Sequence, residues 1–115
     1  MKKFDEFVNE KLKSMISFNK KVENLLKSLV DNVSFEPLIK DSTQRYKIDT
    51  KYGKLNISLH DDSEVYSIFM RFDNPELIQD IDDRGMNKYS GKWNIHTWSE
   101  EEALDEFEKR IIMVI

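Results

Sequence analysis

Gln44-Arg45-Tyr46-Lys47-Ile48-Asp49-Thr50 and Lys54-Leu55-Asn56-Ile57-Ser58-Leu59-His60 stand on either side of Lys51-Tyr52-Gly53. In the first run Tyr46 and Ile48 alternate with Arg45, Lys47 and Asp49. In the second, Leu55, Ile57 and Leu59 alternate with Asn56, Ser58 and His60. Successive strand side chains point to opposite faces, so a period of two marks strands buried on one side. Gly53 supplies the positive φ that closes a short turn, and the pair reads as an antiparallel hairpin. His60-Asp61-Asp62-Ser63-Glu64 is a second turn. Val65 to Phe72 follows, with Tyr66, Ile68, Met70 and Phe72 on one face and Val65, Ser67, Phe69 and Arg71 on the other. Apolar residues on both sides place this strand centrally. Residues 44–72 are therefore expected to form a three-strand meander.

Toward the C-terminus, Asn74 suits an N-cap, Pro75 the first helical position and Glu76 the positive end of the dipole. With Leu77, Ile78 and Ile81 as an apolar stripe and Gly85 as a stop, residues 75–84 read as a short helix. Residues 92–98 read as a strand, with Trp93, Ile95 and Thr97 opposed to Lys92, Asn94, His96 and Trp98. Ser99-Glu100-Glu101-Glu102 is a capping box opening a helix over 99–113, whose apolar face is Ala103, Leu104, Phe107 and Ile111, with Ile112 at its margin.

Toward the N-terminus, residues 1–31 read as helix. Val8, Leu12, Met15, Asn19, Val22, Leu26 and Leu29 recur at steps of three and four, in a stripe widened by Phe4, Phe18, Leu25 and Val30. Uninterrupted over 3–31, this helix would be ~43 Å long, against a domain width of ~30–35 Å. It must break near Ser17-Phe18-Asn19 or project toward a partner. Asn19 takes an a position of a heptad frame, where a buried Asn sets register in a paired coil; this offers a homodimer through the helix. The width of the stripe favours a helix wrapping one sheet. Val33 to Pro37 reads as an edge strand or lead-in, since Pro37 cannot donate to a ladder. The expected order is α-β-β-β-α-β-α in one domain, 1–115: an α+β fold with helices on one face of a mainly antiparallel four-stranded sheet.

The 115 residues carry 18 basic and 22 acidic side chains and no cysteine. Disulfide and thiolate chemistry are excluded. The net charge of -4 is unevenly spread: residues 1–59 carry +4 and residues 60–115 carry -8. The acids concentrate in Asp80-Ile81-Asp82-Asp83 and around Glu100-Glu101-Glu102. Such runs solvate a surface and suit a helix start, and they also suit a basic partner. Basic residues at the N-terminus are followed by no apolar run, so no secretory leader is expected. The longest apolar stretch, Ile111 to Ile115, is too short to span a bilayer. A cytoplasmic location and no membrane partner follow as expectations.

With apolar alternates turned to the core, the opposite sheet face carries Arg45, Lys47, His60, Phe69, Arg71, Lys92, Asn94, His96 and Trp98. Aromatics and Arg are enriched at interface hot spots, and an aromatic, cationic sheet face suits stacking of single-stranded nucleic acid. The same pattern also describes long polar side chains shielding an ordinary sheet. His60, Asp61, Asp62 and His96 could contribute to a metal-dependent hydrolase, but their spacing does not force the convergence a metal needs. Ser90 and His96 lie close in sequence without a nucleophile elbow or a third orienting group. No catalytic set, metal site or cofactor is expected.

Val65-Tyr66-Ser67-Ile68-Phe69-Met70-Arg71-Phe72-Asp73 and Asn87-Lys88-Tyr89-Ser90-Gly91-Lys92-Trp93-Asn94-Ile95-His96 resemble small proteins encoded by phages, plasmids and other mobile elements. That group has no established activity. The resemblance covers about the second half of the chain and is most distinctive over Ser90 to His96. It implies an accessory protein and singles out Arg71, Ser90, Gly91, Lys92, Trp93 and Asn94, of which Gly91 also suits a tight turn and Trp93 a core plug. Joined to the charge pattern, it leads to a non-enzymatic protein that binds and inhibits a host protein, such as a defence nuclease, partly by acidic mimicry of phosphate. The expected partner-binding residues are Phe69, Arg71, Lys92, Asn94, His96, Trp98, Asp82, Asp83, Glu100 and Glu101. The alternatives are an assembly module pairing through the first helix and a single-stranded nucleic-acid binder on the sheet face. Net acidity makes nucleic acid the less favoured partner.

Overall fold

The computed structural model describes residues 17–31, 33–39, 43–59 and 65–115. Five strands lie in antiparallel sequence order: β1 (Val33–Ile39), β2 (Thr43–Thr50), β3 (Gly53–Leu59), β4 (Tyr66–Phe72) and β5 (Ile95–Thr97). The described part of the first helix, α1, covers residues 17–29, and α2 runs over Glu100–Val114. The fold is α+β, and β2 to β5 are the four expected strands. The Val33–Pro37 piece extends to Ile39 as edge strand β1, with an irregularity between Glu36 and Ile39, around Pro37.

Alternation sets which side each residue takes. Tyr46, Ile48, Leu55, Ile57, Leu59, Ile68, Met70 and Phe72 form one buried face. Phe18, Val22 and Leu26 of α1 join the core over it, as do Ala103, Phe107, Ile111 and Val114 of α2. The Phe18 ring meets Tyr66 edge-on at 5.0 Å. Burial, with Glu23 nearby, pushes the Tyr46 hydroxyl up to about 12. A hydrogen bond from Lys27 is the main influence holding the Glu23 carboxyl below its ordinary value, against burial that raises it. Lys51 N–H donates to Val114 C=O at 2.8 Å, tying the β2–β3 turn to the end of α2. Gly53 closes that turn at φ +95.

Three expectations change in detail. Residues 75–84 form no α-helix: only Pro75–Ile78 is helical, as a 3-10 turn. Leu77 N–H donates to Asn74 and Ile81 N–H to Ile78, both three residues back. Ile78 and Ile81, three apart, are the buried pair, whereas Leu77 is exposed. That spacing suits the tighter helix, which rarely runs far. Asn74 does cap it, accepting from Glu76 N–H at 3.1 Å. The strand expected over 92–98 narrows to Ile95–Thr97 plus a bridge between Lys92 and Arg71. The capping box is half as expected. Ser99 accepts from Glu102 N–H at 3.3 Å. Glu102, however, accepts from the Thr97 hydroxyl, and that hydroxyl in turn accepts from Ser99 N–H. The helix is continuous from 17 to 29, without a break after Ser17. The full length of the first helix, with Phe4, Val8, Leu12 and Met15 of its apolar stripe, lies outside the described residues, whereas Phe18, Val22 and Leu26 of that stripe are buried in the core.

Candidate functional site

The face of the sheet turned away from the helices carries five of the ten expected partner-binding residues: Phe69, Arg71, Lys92, Asn94 and His96. Strand register sets them in rows. Lys47 opposes Asn56, Asn56 opposes Arg71, and Arg71 opposes Lys92. One row along, Arg45 opposes Ser58 and Ser58 opposes Phe69. Glu36 stands opposite Arg45 in the register. These residues are exposed or half-buried where their burial is described, and only the Val65–Ser67 end of the face is buried. A depression of about 510 Å³ lies at its centre, lined by Arg45, Asn56, Ser58, Phe69, Met70, Arg71, Asp73, Lys92 and Asn94. Asp73 accepts from Asn56 Nδ2 and lies 3.5 Å from Lys47 Nζ. Arg71 and Lys92 make no ion pair among the described residues.

The segment Ser90 to Asn94 is built by side chains as much as by backbone. Asn87 accepts from Tyr89 and Ser90 N–H, and Ser90 Oγ accepts from Lys92 N–H. Gly91 has φ +83, and a Cβ there would stand 2.7 Å from Phe72 O. Only glycine tolerates both the dihedral and the contact. Trp93 is wholly buried, as its reading as a core plug required. Its backbone N–H donates to Met70 C=O at 2.9 Å. The reciprocal ladder bond is replaced: Met70 N–H donates to Asn94 Oδ1 at 3.1 Å. The freed Trp93 carbonyl instead accepts from Arg110 Nη1 at 2.7 Å. Arg110 also donates to Asn94 C=O and to Glu106, and its guanidinium lies 5.0 Å from the Trp93 ring centre. Asn94 therefore has a structural task, although it stays exposed. Lys92 is the member of this segment whose side chain has no such task.

The ten expected residues do not form one surface. Phe69, Arg71, Lys92 and Asn94 line the depression. His96 continues along β5, where its Nδ1 is 2.6 Å from Ser67 Oγ. Sequence reasoning paired His96 with Ser90 and missed Ser67. The two are 29 residues apart and meet only because they are register partners. Trp98 is 77% exposed just beyond β5. Glu100 and Glu101 open α2, with Glu100 held 3.0 Å from Lys21 Nζ of α1. A further depression of about 440 Å³ between β5 and α2 is lined by His96, Glu102, Asp105, Glu106 and Arg110, among others. Asp82 and Asp83 are elsewhere. Asp83 accepts from Gly85 N–H in a turn set against Arg110. Ten residues of α2, ~15 Å of helix, separate that point from Glu100.

Among the described residues no group of three His, Asp or Glu could hold a metal ion. His60, Asp61 and Asp62 lie outside them. No described helix is long and apolar enough to cross a membrane. No family model, curated protein or solved structure matches the chain.

Proposed function

We propose that this chain is a non-enzymatic binding protein that docks on a host protein and blocks it. Its origin in a phage or other mobile element is part of the same reading and rests on the resemblance of residues 65–73 and 87–96. The observation that carries the docking reading is the contrast between the two tryptophans. Trp93 is 0% exposed, whereas Trp98 is 77% exposed and stands two residues before the acidic start of α2, across the Ser99 cap. An exposed indole beside carboxylates suits a basic surface with an apolar recess, because the ring anchors while the acids steer approach. Glu101 and Glu102 are the exposed acids of this corner, and Asp105 and Glu106 extend it along the helix. A nuclease that holds nucleic acid by lysines and arginines presents a surface of that kind.

The test is affinity capture from host lysate on immobilised protein, at low and high salt, with wild type and the variants Trp98→Ala and Glu101→Lys. The expected result is one host protein retained at low salt and weakened by high salt. Trp98→Ala should lower its affinity about tenfold or more, the size of a hot-spot loss. Retention of no host protein, or equal retention by both variants, rejects the reading.

A further inference from the structure

We infer that the open sheet face is a nucleotide-binding site, in which Arg71 and Lys92 hold a phosphate and Phe69 stacks on the base. This site is separate from the Trp98 corner and does not depend on it.

Most side chains around the depression have structural roles, and two cations do not. In Ser90 to Asn94, the serine fixes the turn, the glycine admits the Phe72 carbonyl, the tryptophan fills the core and the asparagine completes the ladder. Lys92 alone is left exposed with no side-chain bond among the described residues, opposite an Arg71 in the same condition. Adjacent strands are ~4.8 Å apart, so two unpaired cations stand side by side on a surface of a net-acidic protein. Like charges so placed repel, and an anion between them removes the repulsion. Asp73 does not serve, because Asn56 and Lys47 already engage it.

The aromatic neighbour narrows the anion to a class. Phe69 is two residues from Arg71 on the same strand and face, ~7 Å away. It keeps 37% of its surface exposed. Phosphate on the cations and a planar base on the ring are thereby separated by about the length of a sugar. Asn56 and Ser58 on β3 add amide and hydroxyl groups within the same depression. Its volume of about 510 Å³ falls within the range of small-ligand sites. Cations with an interleaved aromatic on a sheet are the elements of single-strand recognition. The nucleotide can come as a free molecule or as part of a single strand, and one assay separates these sources.

Fluorescence anisotropy of a fluorescein-labelled single-stranded DNA of about ten nucleotides is measured at increasing salt, with AMP, ATP and inorganic phosphate as unlabelled competitors. AMP and ATP are also titrated directly by calorimetry. The variants are Arg71→Gln, Lys92→Gln, Phe69→Leu and, as a control, Trp98→Ala. Saturable binding is expected, with Arg71→Gln or Lys92→Gln weakening it about tenfold and reducing the salt slope by about one. Phe69→Leu should weaken binding several-fold, and Trp98→Ala should leave it unchanged. Strand binding that resists AMP and ATP assigns the site to single strands; binding of AMP or ATP assigns it to free nucleotides. Competition by inorganic phosphate equal to that by AMP overturns the inference, since the ring then contributes nothing. Absence of binding by protein with a native circular dichroism spectrum overturns it, as does binding unaffected by both Arg71→Gln and Lys92→Gln. Loss of host-protein capture by Arg71→Gln without any nucleotide binding also overturns it, in favour of a protein interface.

Discussion

The two faces of the sheet are made by the same strands and do different work. On the helix-covered face, Tyr46, Ile57, Met70 and their neighbours are buried beneath α1 and α2. On the other face, one residue along in each strand, Lys47, Ser58 and Arg71 stay exposed or half-buried. Burial of apolar area, at roughly 25 cal/mol per Å², comes almost wholly from the first face. The second contributes little to stability and is free to carry charge. The strand period thus separates fold from recognition, and the Trp93–Asn94–Arg110 joint connects them.

The largest effect should come from breaking the covered side at that joint. Trp93→Ala removes the largest wholly buried side chain and the ring beneath Arg110, and should lower unfolding free energy by about 3–5 kcal/mol in urea titration. Asn94→Ala tests the joint without opening the core. It strands the Met70 N–H, so a loss of about 1–3 kcal/mol is expected; amide exchange at Met70 should accelerate more than at Ile57. A loss near zero would mean that water replaces Asn94 there. The smallest effect belongs to the uncovered face: Arg71→Gln should change the unfolding free energy from urea titration by less than about 0.5 kcal/mol. A large shift would make Arg71 structural and erase the contrast between the faces.

Much of this was legible in the chain. The period of two from Gln44 to Phe72 showed the hairpin, the central strand and both face memberships, because burial selects alternate residues regardless of what lies above them. Ser99 and Asn74 were legible as caps because capping depends on near neighbours. The candidate site was less so. Strand patterns do not state register, and without register Ser67 and His96 cannot be brought together. Periodicity also failed at Ile78 and Ile81, whose spacing serves a 3-10 turn as well as a helix. Asn94 read as a surface amide, since a side chain standing in for a carbonyl leaves no periodic trace. The acids read as one feature because they share a sign, yet Asp83 closes a turn and Glu100 clasps Lys21 at a different part of the surface.

The replaced ladder bond at Met70 has a consequence for how such a sequence can change over time. Gly91, Trp93, Asn94 and Arg110 are mutually dependent: none can be exchanged singly without a clash, a void or a stranded polar group. Lys92, between them, is bound by none of these constraints. Drift would therefore preserve the frame and vary the lysine. A shared Gly-x-Trp-Asn string in another chain would report the same strand joint, while the residue at x would report what that chain binds.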